Sequence, residues 1–110
     1  MHGFQSYPTS VEDSVLSRLY WLKSEFGDFT DIGYQDHVDG DNEFAVILPL
    51  MAAAMGATVI EKHITLDRKA KGVDYYSSFE PDEFSNFISS LNLAQKGLGD
   101  LPEFFSNAEK

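Results

Sequence analysis

A parallel α/β architecture, and within it a piece of a (β/α)8 barrel, is what the sequence predicts, on three observations. Strand-like and helix-like stretches alternate as β-α-β-α-β-α, the order that right-handed crossovers turn into neighbouring parallel strands. Two of the strand-like runs, 32–37 and 57–63, each end in a histidine with a polar residue two positions earlier. Helices can cover one face of such a sheet, whereas parallel sheets are normally covered on both. The other face carries Gln35, His37, Glu61 and His63 at its C-terminal end, which suits the mouth of a barrel better than a bare surface. Three of the eight units of a ~250-residue barrel come to roughly 95 residues, against the 110 of this chain.

The elements follow in order. Residues 2–4 read as the stump of a strand. Thr9 opens a Thr-x-x-Glu capping box with Glu12, and Asp13 sits near the positive end of the helix dipole. Val15, Leu19, Leu22 and Phe26 recur at helical spacing and Gly27 supplies a stop, predicting a helix over 11–26. The first histidine strand is expected at 31–35. In the Gly/Asp/Asn loop after it, Asn42 can cap a second helix bearing Phe44, Ile47, Leu48, Met51, Ala52 and Met55. So little polar face predicts a buried helix, and Pro49 within it predicts a kink or the start of a second half. Gly56 ends it and the second histidine strand occupies 57–63. After a long connection Pro81 suits the first position of a last helix, with Asp82 and Glu83 in its first turn. Phe84, Phe87, Ile88, Leu91 and Leu98 share one face, and Gly97 and Gly99 close it. Residues 1–99 are thus expected to form the barrel portion, and 100–110, with Pro102 and the pair Phe104-Phe105, a linker or docking tail.

A content of 43% hydrophobic and 14% aromatic residues suffices for a core. The absence of cysteine leaves no disulfide framework and no thiolate metal site, and fits a reducing, cytoplasmic setting. No apolar run reaches the ~20 residues of a membrane span, and no leader-like segment follows Met1. A formal charge of -10 argues against nucleic acid or an anionic membrane as partner. Lys62, Arg68, Lys69 and Lys71 nevertheless cluster just after the second strand. An anion site and a solvated loop are both compatible with that cluster.

Side chains alternate faces along a strand, so Gln35 shares a face with His37, and Glu61 with His63. On neighbouring parallel strands the two imidazoles could hold a borderline divalent cation such as Mn2+, with substrate oxygens and water at the other positions. Alternatively each histidine caps its strand end and hydrogen-bonds locally. Glu61 could bind sugar hydroxyls, support a metal or act as a base, or form a strand-end ion pair with Lys62 or Arg68. The long loop through Gly72-Val73-Asp74-Tyr75-Tyr76 exceeds the usual connection length. Its glycine and aromatics predict an ordered loop that brings Asp74 near the mouth.

Gly56-Ala57-Thr58-Val59-Ile60-Glu61-Lys62-His63-Ile64-Thr65-Leu66-Asp67-Arg68 resembles the eighth-strand signature of the sialic acid synthase family. The resemblance continues through Gly72-Val73-Asp74, where the family usually has Gly-Pro-Asp, and through Glu80-Pro81-Asp82-Glu83-Phe84. Upstream, His2-Gly3-Phe4-Gln5-Ser6-Tyr7-Pro8-Thr9 is similar to the sixth-strand Tyr-Pro-Thr motif, and Gly33-Tyr34-Gln35-Asp36-His37 to the seventh-strand Ser-Asp-His motif. Gln35 stands where Ser is usual, Gln5 where Asn is frequent, and Val73 in place of the loop proline.

The resemblance implies strands six to eight of a (β/α)8 barrel that condenses phosphoenolpyruvate with an N-acylated mannosamine-type sugar, or its 6-phosphate, releasing phosphate. It implies that His37 and His63 ligate a Mn2+ or Mg2+ ion that polarises the sugar aldehyde. Water then attacks C2 of phosphoenolpyruvate while C3 attacks the aldehyde. Glu61 and Asp74 would hold sugar hydroxyls and orient the open-chain form, Tyr7 would hydrogen-bond substrate, and Gln5 and Gln35 would face phosphoenolpyruvate. Catalytic roles thus fall to Glu61, His37 and His63. The family's first five strands, with their phosphate-binding lysines, lie outside the sequence. So does the C-terminal antifreeze-like domain that reaches across a homodimer. The isolated chain is therefore expected to be inactive. The alternative is a non-catalytic metal-binding or complementing half-barrel that works only with a separate chain.

Overall fold

Every second residue of two short runs is apolar or able to find a buried partner, and those runs become the paired centre of the sheet. They are β1 (Gly33–Asp36) and β2 (Val59–Ile64), followed by a two-residue β3 (Ser78–Phe79). The helices are α1 (Arg18–Phe26), α2 (Phe44–Ala54) and α3 (Pro81–Leu98). This computed structural model describes residues 1–3 and 8–99. All pairings are parallel, in the order β1-β2-β3. Gly33 to Asp36 lie opposite Val59 to Lys62 in register, and His63 and Ile64 lie opposite Ser78 and Phe79.

Of the strand expected at 2–4, His2 makes a parallel bridge to Tyr34 and Phe4 lies outside the described residues; a second parallel bridge, not expected from the sequence, joins Thr9 to Val38. The His2 amide donates to the Gly33 carbonyl at 2.8 Å and the Gln35 amide to the His2 carbonyl at 2.8 Å. The core gathers Leu19, Ile32, Tyr34, Val38, Ala45, Leu48, Ala52, Phe79 and Phe87. Helix α2 is buried along Ala45, Leu48, Pro49 and Ala52, as its apolar composition demands. It runs without interruption through Pro49, whose missing N–H removes one bond to the preceding turn. Asn42 behaves as expected: its Oδ1 accepts from the Phe44 amide at 2.9 Å.

The helix expected over 11–26 is divided. Glu12–Ser14 form a 3-10 turn, Val15 turns into the left-handed region at φ 40°, and α1 starts only at Arg18. Left-handed geometry is unfavourable for a β-branched residue, which marks the break as imposed by packing. Val11, not Thr9, stands at the head of the 3-10 turn. The Thr9 amide donates to the His37 carbonyl at 2.7 Å and the residue is buried. Ser10 takes the capping role instead, accepting from the Asp13 amide at 3.2 Å and donating to the Asp13 carboxylate at 2.8 Å.

Pro81 opens α3 as expected, and the Glu80 amide donates to Glu83 Oε1 at 2.8 Å. On the predicted apolar face of α3, Phe87 is buried and Phe84 and Leu91 are half-buried. Ile88 and Leu98 remain exposed. Gly97 lies inside the helix, and Gly99 alone closes it at φ 76°.

Arg68, in the loop after β2, joins that loop to the start of α3. Its guanidinium binds Glu83, reaches Asp41 at 2.8 Å and donates to the Ser78 carbonyl at 3.1 Å. The hydrogen bond from Arg68, reinforced by the Glu80 amide, holds the Glu83 carboxyl below the usual glutamate value. A carboxyl depressed in the folded state stabilises above its unfolded value, and that contribution fades as pH falls through the folded one. Glu83 is about one-third exposed, so the effect is worth less than about 1 kcal/mol after solvent screening. Thermal melts of Glu83→Gln should show no such loss as pH drops below about 4.5, the ordinary glutamate value, whereas the parent chain should soften over that interval. Parallel pH profiles for the two would count against the pairing. Among the described residues no helix is long and apolar enough to cross a membrane.

Candidate functional site

Parallel register puts the two polar-x-histidine runs side by side. Gln35 lies opposite Glu61, and Gln35 Nε2 donates to Glu61 Oε2 at 3.3 Å. Two residues further along each strand, the rings of His37 and His63 approach to 5.2 Å between centroids, tilted by 44°. The sequence places these four on one face, and the structure brings them together there. His37 is buried, whereas the His63 side chain keeps 31% of its exposure and so opens towards solvent.

The loop after β2 is ordered, as its composition predicts. It is built from 3-10 turns at Arg68–Ala70 and Tyr75–Ser77. Asp74 begins the second turn in the left-handed region at φ 56°, a conformation Asp tolerates better than most residues. Its carbonyl accepts from the Ser77 amide at 3.1 Å and from Ser78 Oγ at 2.9 Å. Thus held, its carboxylate stands 4.0 Å from His63 Nδ1. The chain beside His37 passes close to this loop. Gly40 donates its amide to the Tyr76 carbonyl at 2.7 Å, and a Cβ there would sit 2.6 Å from the Ser78 carbonyl oxygen, so only glycine fits.

The His37 backbone is fastened from two sides. Its carbonyl accepts from the Thr9 amide at 2.7 Å and from Ser77 Oγ at 2.7 Å, the latter in a buried position. Tyr7 and Gln5, the other expected substrate contacts, lie outside the described residues.

Two charged residues escape the sequence reading. Asp36 and Lys62 are opposite each other in register on the far face of the sheet and form an ion pair with side chains 0% and 2% exposed. The Tyr34 hydroxyl donates to Asp36 Oδ1 at 2.8 Å, and Lys62 Nζ lies 4.3 Å from the centre of the Phe79 ring. Burial lowers the Lys62 ammonium from the usual lysine value, against the opposing pull of Asp36. Burial, then the charge of Asp36, raises the Tyr34 phenol. Lys62 is therefore no partner for Glu61. The basic cluster it belongs to is also neither a single anion site nor a uniformly solvated loop: Lys62 and Arg68 are paired inside the fold, while Lys69 and Lys71 are exposed. The signal was present, since alternation that turns the histidines inward turns their preceding residues outward.

Chemically, the inner face offers two imidazoles, a carboxamide-bound carboxylate and a second carboxylate beside one imidazole. Among the described residues no three histidine, aspartate or glutamate side chains are close enough together to hold a metal by themselves.

Residues 1–103 match the model of the NeuB family. The N,N'-diacetyllegionaminic acid synthase of Legionella pneumophila is 36% identical over 99 residues, covering 90% of this chain and 26% of that protein. The human N-acetylneuraminate-9-phosphate synthase is 36% identical over 94 residues, covering 86% of this chain and 24% of that protein. This chain therefore spans about a quarter of the length of these curated relatives. Among solved structures, the N-acetylneuraminic acid (sialic acid) synthetase of Leptospira borgpetersenii, in complex with citrate, superposes with a TM-score of 0.84 at 36% identity. That match covers 96% of this chain and 34% of the synthetase chain.

Proposed function

The chain belongs to the NeuB family, and from that premise we propose that it forms the last three β-α units of a nonulosonic acid synthase barrel. Phosphoenolpyruvate, an N-acylated mannosamine-type sugar or its 6-phosphate, and water would be joined into a nine-carbon sugar acid and inorganic phosphate. The observation that carries the reading is the meeting of His37 and His63, with rings 5.2 Å apart and the Gln35–Glu61 pair two residues before them on the same face.

Two neutral imidazoles suit a divalent ion such as Mn2+ or Mg2+ that takes its remaining ligands from substrate oxygens and water. His37 and His63 would hold the ion, which supplies Lewis acidity towards the sugar's aldehyde oxygen. The chain's own residues do the rest. Glu61 is held by Gln35 and accepts hydrogen bonds from sugar hydroxyls. Asp74, at 4.0 Å from His63, reaches the same space from the loop. The loop's two 3-10 turns keep its carboxylate at the open side of the site. Tyr7 and Gln5 would complete the substrate contacts. The same reading assigns 100–110 to a linker towards a further domain, a cytoplasmic setting and a homodimeric parent.

The test is phosphate release from phosphoenolpyruvate in the presence of Mn2+ and an N-acylated sugar, when this chain is combined with the preceding barrel segment of the Legionella synthase. Release that depends on both chains and on His63 is the expected result. Acetylated mannosamine, its 6-phosphate and diacetamido sugars are tried in turn. No release with any of them, over a range of stoichiometries, would overturn the proposal.

A further inference from the structure

We propose that the buried Asp36–Lys62 pair is a positioning pair: it selects the register of β1 against β2 and thereby sets His37 beside His63. The proposal deepens the metal-site reading above and rests on it for its functional meaning.

Asp36 immediately precedes His37, and Lys62 immediately precedes His63. The two charged residues are Cα partners across the ladder. Whatever fixes that one rung therefore fixes the next, where the imidazoles stand on the opposite face. The wholly buried Tyr34 opposite Ile60 also resists a slip through its packing, but the charged rung demands one partner and no other. A slip of one residue turns every side chain of a strand to the other face. A slip of two keeps the faces but sets Lys62 against Tyr34 or Val38 and strips the wholly buried Asp36 of its cation.

The pair is also tied into all three strands. One oxygen of Asp36 receives Lys62 and the other receives the Tyr34 hydroxyl. The Lys62 ammonium lies against the Phe79 ring of β3. Both Asp36 oxygens are used, and the ammonium faces a ring rather than water, so the arrangement is specific to one alignment. A buried ion pair is weak evidence for net stability, because desolvation offsets attraction; its better-attested use is to reject alternative alignments.

The experiment uses the 110-residue chain with two readouts: cross-strand nuclear Overhauser contacts between the Gln35 and Glu61 backbones, and binding of Mn2+ alone followed by loss of the free-ion paramagnetic resonance signal. The Asp36→Leu/Lys62→Met double variant is expected to keep its circular dichroism. It should lose the single set of Gln35–Glu61 contacts and bind Mn2+ about tenfold more weakly, or worse. Lys62→Arg, which keeps the charge, should retain both. A folded double variant with unchanged contacts would overturn the proposal. Should the parent chain take up no Mn2+, the metal reading fails while the backbone contacts still decide the register question. If the apolar pair prevents folding, Asp36→Asn/Lys62→Gln is read in the same way. Unfolding of both variants would assign the pair to stability alone and likewise overturn the proposal.

Discussion

Replacing His63 by alanine is expected to cost the chain its affinity for Mn2+, by on the order of a hundredfold. Partners outside the coordination sphere already account for ~10- to 100-fold, and a protein ligand in a two-imidazole set is worth at least as much. His37→Ala should do the same, because with two protein donors neither can be spared. The two losses should not add, since either change leaves a single imidazole, and a single imidazole does not make a site. Asp74→Asn is the informative control. Its carboxylate lies 4.0 Å from His63 Nδ1, beyond hydrogen-bonding distance, and its effect on the ion should be several-fold smaller. Titration of Mn2+ against the three variants, followed by the paramagnetic resonance of the free ion, separates these cases. Equal affinity in His63→Ala and the parent chain would remove the histidine pair from any account of the ion.

The largest loss of stability is expected at Asp36→Ala. The substitution leaves an ammonium 2% exposed with no counter-ion, and breaking a buried pair from one side costs about 3–5 kcal/mol. The Tyr34 hydroxyl loses its acceptor as well. For a domain of this size each kcal/mol moves the melting temperature by roughly 4–8 °C, so Asp36→Ala should melt at least ~12 °C below the parent or fail to fold. Lys62→Met should cost less, because the carboxylate retains the Tyr34 hydroxyl. Urea denaturation read by circular dichroism ranks them. A loss under about 1 kcal/mol for Asp36→Ala would show that water reaches the ammonium.

Much of this was legible beforehand, and the misses have physical causes. Alternation along residues 32–37 and 57–63 identifies the inner face, because the period of a strand leaves no freedom about which residues share a side. The helix starts at Asn42 and Pro81 are legible because a side-chain acceptor and a missing N–H act locally. The segment 11–26 is not, because its ends are decided elsewhere: the Thr9 amide goes to His37, and Val15 is forced into a left-handed turn. Nor does the ordered loop disclose its geometry, since Asp74 is set by Ser77 and Ser78 folding back on its own carbonyl. The ion pair follows from the same alternation: the neighbours of the two histidines face the other side of the sheet, where opposite charges at one rung make a buried pair.

The two bonds to the His37 carbonyl have a consequence in time. One donor comes from the N-terminal segment at Thr9, and the other from Ser77, forty residues away along the chain. Contacts between such distant segments form slowly, since the intervening chain must first be ordered. Both bonds close long loops, so the His37 carbonyl is fully held only when the N-terminal segment and the loop after β2 are both in place, and exchange of the Thr9 amide reports on that closure.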